Sequence, residues 1–179
     1  MIVGESFLKL FKDMEITVTD NSGTEIARPI KFWYGDHEEL LRWLSKNKGN
    51  ANKFPLVWYP ITEVRERLDW KVVSNGSLVI LSDTKLKYMN DERYVNTYSY
   101  IIDPVWQLIK EKLMKSSSFF FIGNSSKNED KYVIRDRPNF DSGSDKTEFN
   151  NEKGQESIAT DIVDARFIDF SFEINTKCI

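Results

Sequence analysis

The sequence predicts an α+β fold, in which a mainly antiparallel sheet packs against an N-terminal helix, a central helix and a long Pro-kinked helix, with one long polar loop. Three observations carry this expectation. GDHEELLRWLSKNKGN (35–50) and the stretch from Asp91 to Leu113 place apolar residues at helical spacing. FPLVWYPI (54–61), GSLVILS (76–82) and FFFIG (119–123) are apolar runs too short for helices, bounded by Pro, Gly or polar turn residues. TDIVDARFIDFSFEIN (160–175) alternates apolar and other residues in two stretches, as a strand does.

In chain order, Phe7, Leu8, Leu10, Phe11 and Met14 predict an amphipathic helix over 4–14. EITVTD (15–20), the turn-forming DNSG (20–23) and TEIARPIKFWYG (24–35) read as a β-hairpin, with Pro29 on an edge or at a bulge because it lacks a backbone donor. In 35–50, Asp36 and Glu39 form a capping-box pattern, Leu40, Leu41 and Leu44 the apolar stripe, and Gly49 the stop. Residues 62–74 have no clear period. After the strand 76–82, Asp83 and Thr84 are expected to end it by bonding the local backbone, and Asn90 or Asp91 to cap the next helix.

That helix is expected from about 91 to 102, with a kink or restart where Asp103 acts as N-cap and Pro104 takes the first position. FFFIG and KYVIRD (131–136) are strands joined by NSSKNED. RPNFDSGSDKTEFNNEKGQES (137–157) lacks periodicity and reads as a polar loop or arm within a single domain spanning 1–179. In the last strand Val163, Ala165 and Phe167 share one face, and Ile168, Phe170, Phe172 and Ile174 the other. The apolar face therefore switches at 167–168, through a bulge or a change of packing partner.

Composition excludes several function classes. The chain has 179 residues, 40% hydrophobic and 13% aromatic, with 25 basic and 28 acidic side chains and a formal charge of −3. This is not the electrostatics of a nucleic-acid binder. One cysteine, Cys178, allows no internal disulfide and no thiolate metal cluster within a chain. The first fifteen residues lack the features of a signal peptide, and no apolar run reaches the roughly 18 residues of a membrane span, so a soluble protein is expected.

Candidate catalytic groups are few. The single histidine, His37, has no second histidine one turn on and is placed in the first turn of a helix. No glycine pattern matches a phosphate loop. Asp83, Asp91 and Asp164 (with Glu92 and Asp161) are the carboxylates that a two-metal nuclease or hydrolase would use. Asp164, set among apolar neighbours, needs a partner if buried, and Arg93 and Arg135 are the candidates. Phe32, Trp33, Tyr34, Phe54, Trp58, Tyr59, Tyr94, Tyr98, Tyr100 and Trp106 exceed what a small core must hold, so some should be exposed at an interface.

FWYGDHEELLRWL (32–44), FPLVWYPI, residues 78–109 and DIVDARFIDFSFEI (161–174) together resemble the small neck and tail-completion proteins of tailed bacteriophages, the head–tail connector and tail-terminator-like proteins. Thr84, Tyr88, Glu92 and Arg93 match the series between strand and helix, Ile101 to Pro104 the helix ending before proline, and Asp161, Asp164 and Ala165 the closing strand. The hairpin at 15–34 and the length of the polar loop stand outside the match.

The resemblance implies a structural virion protein, not an enzyme, with no cofactor, metal or catalytic residue. It would form a homo-oligomeric ring in the neck or tail, touching portal, connector and tail-tube subunits, with DNA passing through the lumen without specific binding. The net negative charge suits such a lumen. Interface residues on this reading are Trp33, Tyr34, Trp58, Tyr59, Glu92, Arg93, Phe140 and Phe149. Two alternatives are a small metal-dependent hydrolase or nuclease using Asp83, Asp91 and Asp164, and a monomeric protein-binding adaptor.

Overall fold

A computed structural model of the chain describes residues 3–19, 23–47, 49–50, 52–122, 132–140 and 162–175. In order they form α1 (Val3–Leu10), β1 (Glu15–Thr19), β2 (Glu25–Pro29), β3 (Lys31–Gly35), α2 (His37–Lys46), β4 (Leu56–Pro60), β5 (Val64–Arg67) and β6 (Trp70–Asp83). Then follow α3 (Asn90–Arg93), a π-helical segment (Tyr94–Ile102), α4 (Asp103–Lys115), β7 (Phe119–Ile122), β8 (Val133–Phe140) and β9 (Val163–Asn175). The class is α+β, and β3 with β4 is the one parallel pair among the described strands.

Two long antiparallel strands organise the sheet. β6 and β9 pair from Trp70↔Asn175 to Asp83↔Val163. Their length lets each carry different neighbours at its two ends. β6 takes β4 along Val79–Leu81 and β5 along Trp70–Val73. β9 takes β8 along its first half and β7 along its second. The register slips once, between Val73 and Gly76, where Asn75 has a positive φ of 56° and its amide donates to Ser171 Oγ at 3.1 Å. This is a β-bulge on β6, the strand with the extra residue.

Alternation sends the two faces of the sheet to two cores. On one face Val57, Leu78, Ile80, Ile168, Phe170, Phe172 and Ile174 pack with Phe7 and Phe11 of α1, Ile101 and Ile102 of the π-helical segment, and Val105, Ile109 and Leu113 of α4. The β1–β2 hairpin lies against this side through Ile16 and Val18. On the other face Leu56, Val79, Leu81, Val163 and Ala165 pack under Leu40 and Leu44 of α2. The expected switch along β9 is a change of packing partner, since its pairing with β6 is unbroken from Val163 to Phe170.

Several elements differ from expectation. Residues 24–35 are two strands, because β2 stays with β1 while β3 joins the main sheet beside β4. The Asp36 and Glu39 capping box is complete, with Glu39 N donating to Asp36 Oδ1 at 2.8 Å and Asp36 N to Glu39 Oε2 at 3.0 Å. The helix stops earlier than Gly49, at Asn47, whose side-chain amide donates to Trp43 O at 2.8 Å. Residues 62–74 hold β5 and the first residues of β6, a hairpin whose charged residues hid its alternation. The polar loop loses 137–140 to β8, and its remainder, 141–157, lies outside the described residues, as does Cys178.

α1 sits close against β3. A Cβ on buried Gly4 would run into the Tyr34 ring, so glycine is what permits that approach. One turn on, fully buried Phe7 has the ring centroids of Tyr59, Phe119 and Phe172 at 5.0, 4.9 and 5.4 Å. Phe7→Ala is therefore expected to lower stability by about 3–5 kcal/mol, read as a shift in the urea midpoint. A loss under about 1 kcal/mol would mean that α1 is not integral to this core.

Candidate functional site

β9 carries two charged residues where its alternation demands apolar ones. Asp164 and Arg166 point to the same face as Ile168 and Phe170, and are 0% and 8% exposed. Above them lies the helical run from Asn90 to Lys115. Its middle nine residues are wound as a π-helix, closed by the Asp103 amide donating to Tyr98 O five residues back. Wide helical turns of this kind are rare and concentrate at functional sites.

Each end of the π-helical segment is tied to β9. Arg93, immediately before it and 4% exposed, donates through Nη1 to Asp164 Oδ1, and through Nη2 to Tyr88 O at 3.1 Å. Asp103, immediately after it, accepts from Arg166 Nη1. The remaining guanidinium edge of Arg166 donates to both oxygens of Asp136 on β8, at 2.7 and 3.0 Å. Asn139 N, at the positive-φ bulge near the end of β8, donates to Asp164 Oδ1 at 3.0 Å. Two strand residues two apart thus gather α3, α4 and β8 onto one strip of β9.

Tyr98 stands between the two pairs, with Arg166 5.6 Å from its ring centre. Burial pushes its phenol well above the ordinary range, and the Asp164 and Asp136 carboxylates add to this against Arg166 and Arg93. Burial also lowers the Arg166 guanidinium, but hydrogen bonds to Asp136 and Asp103 more than reverse that, and it stays charged. Asp164 Oδ2, Tyr98 Oη and Asn139 Oδ1 are buried without a hydrogen-bond partner among the described residues. The site is thus strongly paired and incompletely satisfied.

Such a network specifies an arrangement more than it stabilises one. Removing charges from water offsets most of the Coulombic gain, so an apolar replacement of both partners is often neutral, while removal of one is severe. What the network does is fix where the π-helical segment can sit on β9.

The carboxylates proposed for metal chemistry separate. Asp83 and Asp91 are exposed, Asp164 is fully buried against Arg93, and among the described residues no group of three His, Cys, Asp or Glu is placed to hold a metal ion. His37 is the first residue of α2, its ring 6.1 Å from Trp58 and 6.2 Å from Phe140. Arg135 serves Asp169 instead of Asp164, because its register opposite Phe167 puts it on the other face.

The aromatic candidates are mostly internal. Trp58 and Tyr59 are buried in opposite cores, with Trp58 Nε1 donating to Gly35 O at 3.1 Å. Tyr59 Oη shares a 2.8 Å hydrogen bond with Thr62, and burial raises its phenol against that bond. Trp33, Tyr34 and Phe140 are half-buried. Among the residues named for an interface, Arg93 is thus internal, Glu92 is exposed, and Phe149 lies outside the described residues.

The opening of the helix also departs from expectation. Met89, not Asn90 or Asp91, is the N-cap, its amide donating to Glu92 Oε2 at 3.0 Å. Thr84 bonds distant chain: its amide donates to Ile162 O at 3.1 Å, and its hydroxyl meets that of Thr97 at 3.3 Å. Asp103 is itself helical, with φ −62° and ψ −49°, so the helix changes register there without restarting. Sequence reasoning missed Arg166, Asp136 and Asn139, and singled out Tyr98 only as one of the surplus aromatics. The signal was present in part, since Arg166 stands two residues from Asp164 on an apolar face.

Arg93→Met is expected to cost about 3–5 kcal/mol, because it strands a buried carboxylate. Combining it with Asp164→Leu should cost clearly less than the two single changes summed, in a urea-denaturation cycle. Additive losses would mean that the pair does not act as a unit. Because the phenol of Tyr98 titrates higher in the folded state than unfolded, its contribution is complete below about pH 10 and falls as pH rises beyond it. Tyr98→Phe removes an unpartnered buried hydroxyl, so it is expected to leave neutral-pH stability equal or higher and to flatten the alkaline decline that Tyr59 shares. A loss above about 1 kcal/mol at pH 7 would show the hydroxyl to be bonded.

No protein-family model matches the chain, and no curated protein matches it.

Proposed function

We propose that the chain is a structural protein of the neck or tail of a tailed bacteriophage, one subunit of an oligomeric ring joining portal or connector to tail around the DNA path. The observation that carries this reading is an exposed apolar run on a rigidly anchored support. Leu86, Met89, Tyr94 and Val95 are 63, 72, 60 and 63% exposed, on the connection into the helix that Arg93 pins to β9. Exposed apolar side chains grouped on a fixed element suit a protein partner.

The segments that carry the resemblance also converge. Thr84 and Arg93 come from one, Asp164 from the other, and they meet at β9. That arrangement favours the ring reading over a hydrolase built on Asp83, Asp91 and Asp164, whose carboxylates have no shared site. No helix among the described residues is long and apolar enough to cross a membrane, which is compatible with assembly inside a host cell and residence in the virion.

The test is assembly. Light scattering with size-exclusion chromatography and negative-stain microscopy is expected to give closed rings, alone or on addition of the portal and tail-tube proteins of the same phage. A monomer that stays monomeric with all of them would overturn the proposal. A monomer that instead captures one host protein would favour the adaptor reading.

A further inference from the structure

Among the described residues, four other than glycine have a positive φ: Asp13, Leu68, Asn75 and Asn139. Aspartate and asparagine tolerate that conformation, because their short polar side chains can bond the nearby backbone, whereas a branched apolar side chain is strained there. Asn75 and Asn139 also have work inside the chain, at the bulge on β6 and on the Asp164 carboxylate. Leu68 differs in both respects. Its φ is 53° and its side chain is 100% exposed, so no burial offsets the strain of its backbone.

Leu68 and Asp69 form the turn of the β5–β6 hairpin, between the paired Arg67 and Trp70. Two-residue hairpin turns need a positive φ at the first central position, where glycine or asparagine fits without strain. The turn therefore accounts for the backbone and not for the leucine. Next to the tip, the rings of Trp70 and Phe120 meet edge to face at 5.3 Å, the first half-buried and the second 47% exposed. They pair with Asn175 and Glu173 of β9, and so lie on the face of the sheet opposite the core residues Phe172 and Ile174. One corner of the sheet thus ends in an exposed aliphatic side chain beside a partly open aromatic pair.

We infer that Leu68 is an anchor for a different protein, its side chain entering an apolar socket while the Trp70 and Phe120 rings meet the socket's rim. Strain held at an exposed position points outward, to a contact the chain does not make by itself. A leucine at a convex tip buries area only against a concave partner. The groove between α1 and α4 of a second copy is no such socket, because Glu111, Lys112 and Lys115 edge it. Residues 63–71 carry three acidic and three basic side chains, with Glu66 held by Lys71 at 3.0 Å and Glu63 by Arg65 at 3.6 Å. A neutral collar of this kind calls for no opposite charge on the partner, so the contact is apolar and depends weakly on salt. The inference rests on the ring reading only for the choice of partner proteins to test.

Leu68→Asn separates an outward role from an inward one, because the two move different readouts. It relieves the strained backbone and removes the apolar side chain. The expected result is a higher urea midpoint together with binding to the portal or tail-tube protein of the same phage weakened about tenfold or more. Leu68→Met keeps an apolar side chain at the tip and should bind within about twofold of the wild type. Interferometry on the immobilised partner reads both, at low and high salt, with little change between the two for the wild type. If Leu68→Asn lowers the urea midpoint, the leucine works inside the chain and the inference fails. If it binds as tightly as the wild type, the anchor lies elsewhere, and the inference fails while the ring reading survives. If it weakens self-association alone, as sedimentation would show, the socket belongs to a second copy and the inference fails. If the wild type binds neither protein, the ring reading and the inference fall together.

Discussion

The buried pair between Arg93 and Asp164 is the constraint on which the arrangement of this protein turns. An ionised carboxylate with no exposure cannot be left alone in an apolar layer, and the nearest cation must come to it. Arg93 reaches it from the start of the helical run, and the bulged end of β8 adds the amide of Asn139. Two residues further along β9, Arg166 repeats the device in reverse, drawing Asp103 and Asp136 to itself. With both ends tied to neighbouring positions of one strand, the nine residues between adopt the wider π register. Tyr98 is held there with its hydroxyl among charges and no partner.

This clamp ties the helical layer to the sheet where its outer surface is apolar. Ile101, Ile102 and Val105 bury their side chains in the core beneath, while Tyr94 and Val95, a turn earlier, face outward. A partner docked on them, as proposed, would meet a surface held in place by interactions inside the chain. Preorganisation of that kind lowers the entropic cost of association. The opposite face of the sheet is divided differently: α2 covers its upper half, and its lower half carries Ser77 bonded to Asp169, Asn75 to Ser171, and the ring pair of Trp70 and Phe120.

Much of the architecture was legible residue by residue. The strands from apolar runs, the complete capping box of α2 and the division of β9 between two packing partners all follow from local pattern. Arg93 was one of two candidates for Asp164, and sheet register decided between them, since Arg135 emerges on the other face. The hairpin of β5 and β6 was not legible, because charged residues on an edge strand mask its alternation. Nor was the true cap of α3, since Met89 does this through its backbone amide, a group every residue but proline possesses. Trp58 and Tyr59 read as spare aromatics because two cores, one on each face, hold more rings than one core would.

By itself the sequence determined the α+β class, the main strands and helices, and the misfit of Asp164 on an apolar strand, because each is a matter of period or of one residue among its neighbours. Only the tertiary structure decided that Arg93, Asp103, Asp136 and Arg166 share one strip of β9, that the intervening helix is π-wound, and that Leu86, Met89, Tyr94 and Val95 remain outside. Those outcomes depend on which distant segments come into register, and the free energy that selects among registers belongs to the assembled sheet and not to any local stretch of chain.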